Sequence, residues 1–221
     1  MNFAFDYKIG WEYRTFILNC VYYTLTLTGY CLGVAILIGL VIGFAASTKK
    51  RIVTAPFRVY VELFRNTPPL VQIIWIYYCL PIFFGLKTVA FTSGVIALGA
   101  GFGAYMGEIF RAGIESVDEG EIEAARSLGM SHFQAMRKVV LPQAVRTMIP
   151  PFINTTVALL KATSLVSIFG VTELTYSART IATTTFKPIE AFTTIAILYF
   201  LICTLVSRTG KVIEKRVTQY R

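Results

Sequence analysis

Long stretches without charge constrain the fold of this chain more than any other feature. Five stretches lack Asp, Glu, Lys and Arg, except for Lys161 in the fourth: residues 15–48, 66–86, 88–107, 147–172 and 191–207. An α-helix needs about 20 apolar residues to cross a bilayer. These stretches therefore predict an all-α integral membrane protein with five transmembrane helices. The predicted spans are residues 16–46, 57–84, 88–112, 143–168 and 189–208.

The length of the chain excludes a water-soluble alternative. A chain of 221 residues is too short to bury five such helices away from water, and only 15% of its residues are charged. We expect one transmembrane domain over residues 1–221, with a long loop over 113–142. The first stretch is longer than the roughly 7–15 apolar residues of a signal peptide, so we expect it to be an uncleaved helix.

The positions of the basic residues predict the orientation. The net charge is +9, which in a soluble protein would suggest a nucleic-acid partner. Here most basic residues fall in three segments that five spans would place on the same side. They are Lys49, Lys50, Arg51 and Arg58; Arg111, Arg126, Arg137, Lys138 and Arg146; and Arg208, Lys211, Lys215, Arg216 and Arg221. The positive-inside rule then predicts an outer N-terminus, a cytoplasmic C-terminus and no nucleic-acid partner.

Two proline pairs fall within predicted spans. Pro68-Pro69 lies early in the second span and Pro150-Pro151 early in the fourth. A helix interrupted at membrane depth exposes backbone groups, which are tolerated only against protein or a watery cavity. Such interruptions line the substrate site in many transporters. A kink that only shapes helix packing is the alternative, and the residues leave both open.

Small residues recur at helical spacing in the first and third spans. Gly29 and Gly33 are four residues apart, and the same spacing relates Gly39 to Gly43 and joins Gly99, Gly103 and Gly107. Small residues at this spacing let helices approach closely in lipid. We expect them to pack helices within this chain. The four cysteines lie inside predicted spans without metal-type spacing, so we expect them to be packing residues.

The loop over residues 113–142 carries its own helical signals. Ser131 followed by Gln134 has the spacing of a capping box. We expect two short helices that meet at a turn near Gly129. A helix with two adjacent alanines and a nearby glycine suits docking in a groove of another protein, and a solvated surface helix is the alternative.

This loop resembles a motif of a known transporter family. Glu123-Ala124-Ala125, then Gly129, and finally Leu141-Pro142 have the spacing of the EAA motif of ABC importer permease subunits. Val139 stands where that motif usually has Ile. Three further segments resemble the polar amino acid uptake subfamily: residues 60–72, 107–114 and 160–165.

The resemblance implies a fold, a function and partners. It implies the small MetI-like permease fold and a membrane path for a polar or charged amino acid in a bacterial inner membrane. It also implies separate ATPase subunits that carry ATP and Mg²⁺, a second permease subunit, and a periplasmic or extracellular binding protein. The chain has no phosphate-binding G-x-x-x-x-G-K-[ST] sequence, so we expect no enzyme activity and no cofactor on this chain. The residues implied to contact the ATPase are Glu123, Ala124, Ala125, Gly129, Leu141 and Pro142.

Polar residues near the proline pairs are candidates for the substrate path. An amino acid needs acceptors for its ammonium group and donors for its carboxylate, and a charged residue inside a span is a functional candidate. The candidates are Thr67, Gln72, Asn154, Thr155, Lys161, Thr163, Ser164 and Glu173. Two alternatives stay open: Lys161 paired with a carboxylate in the bundle, and Glu173 facing outer water or the binding protein. Ala162 replaces the Asp that commonly follows the corresponding Lys in the family.

Two further pairs of opposite charge lie near the ends of the second and third spans. Glu108 and Arg111, like Glu62 and Arg65, are three residues apart on a helix, so we expect each to form an ion pair. The one histidine, His132, lies in the loop, and no catalytic or metal-binding set is recognisable, which argues against a membrane enzyme. A secondary carrier would be expected to contain internal repeats. An ABC permease for another small solute remains an alternative.

Overall fold

The computed structural model describes residues 5–46, 51–85, 87 and 89–218. Three of the basic residues that predict the orientation lie outside the described residues: Lys49, Lys50 and Arg221. Position 88, at the start of the third predicted span, also lies outside them. Within the described ranges the regular structure is helical and contains no strand. The predicted all-α class is therefore confirmed.

The described helices follow one another with short connections. In chain order they are α1 (Lys8–Glu12), α2 (Arg14–Ala46), α3 (Arg51–Arg65), α4 (Pro69–Ile74), α5 (Leu80–Phe84), α6 (Ala90–Glu115), α7 (Glu119–Ser127), α8 (His132–Ala135), α9 (Leu141–Ala162), α10 (Leu174–Thr185) and α11 (Pro188–Thr218). Wider π-helical turns join α4 to α5 at Trp75–Cys79 and α8 to α9 at Met136–Val140. A 3₁₀ segment, Thr163–Phe169, follows α9.

Four helical stretches are long and apolar enough to cross a membrane. They are Arg14–Ala45, Ala90–Glu115, His132–Phe169 and Pro188–Val217. A fifth candidate is a bent pair, Thr54–Arg65 followed by Pro69–Phe84. The described chain thus offers up to five spans, as the uncharged stretches predicted.

The second predicted span, 57–84, is interrupted at Pro68-Pro69, the first of the two alternatives for this proline pair. The axes of α3 and α4 meet at 105° across residues 66–68. Pro68 has φ −57° and ψ 135°, an extended conformation, before Pro69 begins α4. Proline supplies no backbone N–H and disfavours helical geometry in the residue before it. With two adjacent prolines, Thr67 and Pro68 both precede a proline, so the helix ends before them.

The second proline pair has a different outcome. Pro150 and Pro151 lie inside α9, which continues through both. Of the two alternatives, an interruption is therefore not what the structure has here, because membrane helices can accommodate proline when neighbouring groups adjust to the freed carbonyls. A continuous α9 keeps Leu141 and Lys161 on one helix.

Helices α2 and α6 form the centre of the bundle through glycine contacts. An added Cβ at Gly99, Gly103 or Gly107 would lie 2.6–2.8 Å from a side-chain atom of Val34, Ile38 or Ile42 on α2. The pattern also runs the other way, since a Cβ at Gly39 would lie 2.5 Å from Met106 Cβ on α6. Missing side chains therefore allow the two helices to approach closely. The expected glycine packing holds for these positions, but Gly29 and Gly33 face open space.

An ion pair ties the start of the chain to the turn before α11. Lys187 Nζ lies 2.7 Å from Asp6 Oδ2. The hydrogen bond from Lys187 holds the pKa of the Asp6 carboxyl below its usual value, and the same bond raises the pKa of Lys187. Ile9 of α1 is buried beside Ala191 and Ile195 of α11. The segment before α2 is thus attached to the start of α11.

The glycine contacts predict the effect of one methyl group on stability. Gly39→Ala places a Cβ 2.5 Å from Met106 Cβ and 3.0 Å from the backbone nitrogen of Gly107. Overpacking of this kind costs about 1–3 kcal/mol, so we expect a lower midpoint of thermal unfolding in detergent. Gly29→Ala on the same helix is the control, because its Cβ meets nothing within 4 Å. Equal midpoints for the two variants would contradict the packing argument.

Candidate functional site

The bend between α3 and α4 is closed by a buried amide. Gln72 Nε2 donates hydrogen bonds to the carbonyl oxygens of Phe64, at 2.8 Å, and Thr67, at 2.9 Å. Thr67 Oγ1 in turn donates to the carbonyl oxygen of Leu63 at 2.7 Å. These bonds satisfy backbone acceptors that the interrupted helix leaves without partners. Two predicted path residues, Thr67 and Gln72, therefore stabilise the bend.

A charged cleft lies between α3 and the end of α6. Arg111 pairs with Glu108 at 2.8 Å and with Glu115 at 2.6 Å, which confirms the predicted Glu108–Arg111 pair. Arg65 lies 3.7 Å from Glu108 and stacks over the Tyr105 ring. The predicted Glu62–Arg65 pair is wrong for the described structure, because Arg65 turns towards α6.

A polar groove runs along one side of α11, against the end of α9. Its volume is about 690 Å³. The groove is lined by Lys161, Ser164, Thr175, Ala196, Tyr199, Phe200, Cys203, Thr204, Ser207, Arg208 and Lys211. Nine of the eleven lining residues carry a hydroxyl, a thiol or a cationic group. A wall of this kind, formed by side chains of two membrane-length helices, can hold water and a polar solute.

The lining residues of α11 follow helical periodicity. Positions 196, 199, 200, 203, 204, 207, 208 and 211 share one face of the helix, since residues three and four apart are neighbours on a helix surface. Leu205 lies about 100° around the helix from Thr204 and exposes an apolar side chain. Helix α11 therefore presents Tyr199, Thr204 and Ser207 along the groove and an apolar side chain away from it.

Lys161 lies in the last turn of α9 and lines the groove with its charged side chain. Its side chain is exposed, and it forms no ion pair with a carboxylate in the part of the chain that the structure describes. The alternative of a partner carboxylate in the bundle is thus wrong for these residues. Ser164 lies beside it and donates to the Lys161 carbonyl oxygen at 2.7 Å. Lys161 and Ser164 are the two predicted path residues that the groove brings together.

Glu173 is buried behind the groove. Its side chain is fully buried, accepts a hydrogen bond from the backbone N–H of Tyr176 at 2.8 Å, and accepts another from the Tyr199 hydroxyl at 2.6 Å. Loss of contact with water raises the pKa of Glu173. The expectation that Glu173 faces outer water is wrong. Instead, it caps α10 and fixes Tyr199, whose ring lines the groove.

The other predicted path residues lie outside the groove lining. Thr163 is buried and donates to the Leu160 carbonyl oxygen at 2.7 Å. Asn154 is exposed and Thr155 half-buried on α9. The sequence prediction missed Thr175, Tyr199, Thr204, Ser207, Arg208 and Lys211. The spacing of the polar residues along the fifth span would have indicated most of them.

A second candidate site is the α7–α8 segment, residues 118–142. Asp118 begins α7 by accepting a hydrogen bond from the Gly120 N–H at 2.7 Å. Gly129 ends it with φ +79°. The N–H of Met130 donates to the Ala125 carbonyl, and that of Gly129 to the Arg126 carbonyl. These two bonds form a Schellman motif, which favours glycine at the left-handed position.

The predicted capping box begins the second short helix. Ser131 accepts from the Gln134 backbone N–H, and the Gln134 side chain accepts from the Ser131 N–H. The prediction of two short helices with a turn at Gly129 is therefore confirmed. Glu123, Ala124, Gly129, Leu141 and Pro142 are exposed, whereas Ala125 is buried. The described segment thus presents five of the six predicted coupling residues on its surface.

Comparisons with known proteins agree with this geometry. A family model described as "Binding-protein-dependent transport system inner membrane component" matches residues 35–219. The chain belongs to this family. The resemblance predicted from the loop is confirmed, and the membrane-embedded character of the helices agrees with it.

Relatives and a solved structure extend the comparison. The L-cystine transport system permease protein TcyB of Bacillus subtilis (strain 168) is 39% identical over 201 residues, 90% of this chain and 86% of that protein. The glutamine transport system permease protein GlnP of Escherichia coli (strain K12) is 33% identical over 213 residues, 96% of this chain and 97% of that protein. The chain also aligns to a solved amino acid ABC transporter with histidines at a TM-score of 0.90 and 36% identity, covering 97% of this chain and 100% of that chain.

The bend at residues 66–68 predicts a structural role for Gln72. Gln72→Leu removes both hydrogen bonds and leaves the Phe64 and Thr67 carbonyls without that donor. The cost of unsatisfied buried acceptors is about 1–3 kcal/mol, so we expect a lower midpoint of thermal unfolding. Asn154→Leu is the control, because Asn154 is exposed and has no side-chain hydrogen bond within the described ranges. A similar midpoint for both variants would rule out this role.

Proposed function

We propose that this chain is the permease subunit of an ABC importer and forms half of the membrane path for a polar or charged amino acid. The observation that carries the proposal is the polar groove between α9 and α11, with Lys161 unpaired among the described residues. An isolated cation at membrane depth is costly in lipid and is characteristic of substrate pathways. The similarity to amino-acid permeases supports the same function.

A second permease subunit covers the groove in this proposal. Lipid tails cannot solvate Lys161 or the row of hydroxyls beside it. A homologous subunit placed against α11 would instead close the groove into a water-filled path. That arrangement requires a homodimer or heterodimer of permeases in the bacterial inner membrane.

The proposed orientation places the N-terminus outside and the C-terminus in the cytoplasm. The bundle supports this assignment, because Gly210 near the end of α11 contacts Ile153 on α9. The first turns of α9 pack in turn against Val117 and Ile114, next to the α7–α8 segment. The basic end of α11 and the α7–α8 segment therefore lie towards the same side, where the positive-inside rule predicts the cytoplasm.

The α7–α8 segment is the proposed contact with separate ATPase subunits. Its exposed Glu123, Ala124 and Gly129 would lie in a cleft of the ATPase, which binds ATP and Mg²⁺ and carries out hydrolysis. Leu141 and Pro142 begin α9 and would transmit the movement, while Ile122 packs the segment against the cluster that contains Val117 and Ala144. A binding protein on the outer side would deliver the amino acid.

The groove predicts which face of α11 tolerates a large side chain. Thr204→Trp fills the groove and should abolish binding-protein-dependent uptake into proteoliposomes. Leu205→Trp is the matched control, because Leu205 is 64% exposed on the apolar face and does not line the groove. We expect the control to keep uptake close to that of the unmodified protein. Equal loss in both variants, or full uptake by Thr204→Trp, would place the path elsewhere.

The α7–α8 segment predicts a coupling defect. Gly129→Asp adds bulk and charge to an exposed turn, so it should preserve membrane insertion but separate ATP hydrolysis from uptake. Gly85→Asp is a matched control: Gly85 also has positive φ, at +63°, and open space around it, but lies at the end of α5. Uptake and ATPase activity are measured in the reconstituted complex. Unchanged uptake per ATP in Gly129→Asp would contradict the proposed contact.

A further inference from the structure

The groove along α11 carries positive charge from its middle, at Lys161, to the end at Arg208 and Lys211. Three of its described lining residues are cations: Lys161, Arg208 and Lys211. The described lining contains no Asp or Glu. We propose that the groove selects amino acids with an excess of carboxylate groups and rejects cationic amino acids. This inference rests on the proposed function, since it assigns a substrate class to the same groove.

The acidic residue behind the groove does not neutralise these cations by direct contact. Glu173 is fully buried, and its two oxygens accept hydrogen bonds from the Tyr176 N–H and the Tyr199 hydroxyl. Its carboxylate is therefore committed to capping α10 and to positioning Tyr199. A cationic side chain entering the groove would meet Lys161, Arg208 and Lys211 without a carboxylate among the described lining residues.

The positions of the cations suit passage of an anion. Arg208 and Lys211 are one turn apart on α11. The groove face from Ala196 to Lys211 extends about 22 Å along the helix, at a rise of about 1.5 Å per residue. Lys161 lies on the wall formed by α9, close to Cys203 of α11, where the adjacent Leu160 packs against Cys203 and Tyr199. A carboxylate leaving Lys161 would therefore find further cations along α11. The hydroxyls of Ser164, Thr204 and Ser207 are acceptors for the ammonium group of an amino acid.

Cysteine labelling in the assembled transporter measures the charge of the groove independently of the binding protein. Ser207→Cys, made together with Cys203→Ser, places one thiol in the groove wall, and Cys203→Ser alone gives the background. The probes are an anionic and a cationic methanethiosulfonate of similar size. We expect the anionic reagent to react about tenfold faster, because a groove of one sign concentrates ions of the opposite sign. Lys161→Gln should reduce this ratio, and the control Lys215→Gln, exposed on α11 outside the groove, should not.

Protection from labelling then tests the substrate class. We expect L-glutamate to slow the reaction of the introduced thiol, and L-arginine to have no effect at the same concentration. Equal reaction rates for the two reagents, or protection by L-arginine alone, would overturn the proposed selectivity and leave the transport path intact. If no amino acid protects and the labelled transporter keeps full uptake, the groove is not the path and both proposals fail.

Discussion

Close contact between α2 and α6 is the interaction on which the rest of the bundle depends. Gly39 on one helix and Gly99, Gly103 and Gly107 on the other leave no room for even a methyl group. In a bilayer, packing of this kind replaces the hydrophobic effect as the force between helices. The remaining helices are arranged around the pair. Helices α3 and α4 pack against α6 beside the bend, and α9, whose last turn lines the groove, also packs against α6.

Hydrogen bonding separates the structural polar residues from the candidates for transport. Gln72, Thr163 and Glu173 lie within membrane-length parts of the fold or directly beside them, and each forms hydrogen bonds with nearby groups of the chain. Lys161 is different, because its ammonium group has no carboxylate partner within the described ranges. A polar group at membrane depth that the fold does not satisfy must meet water, solute or another chain.

Signals between neighbouring residues predicted the local structure. Sites formed by packing between distant segments could not be predicted in the same way. The capping box at Ser131 and the turn at Gly129 depend on neighbouring residues, so they were predictable. Pro68 and Pro150 show the limit of this approach: both belong to a Pro-Pro pair, yet the first pair ends a helix and the second lies inside one. The groove was predicted only in part, since Tyr199 and Arg208 reach it by the packing of α11 on α9, which no spacing within α9 reveals.

Helix continuity supplies a physical connection between the two candidate sites. Residues His132–Phe169 form one helical stretch that contains α8, the π-helical turn, α9 and the 3₁₀ segment. In the proposed importer its first turn lies at the ATPase contact, and its last turns carry Lys161 and Ser164 into the groove. A translation of a continuous helix along its axis displaces both ends together, since packed elements shift as bodies. In the proposed importer, an uninterrupted α9, despite Pro150 and Pro151, would let a change at the α7–α8 segment alter the wall of the groove.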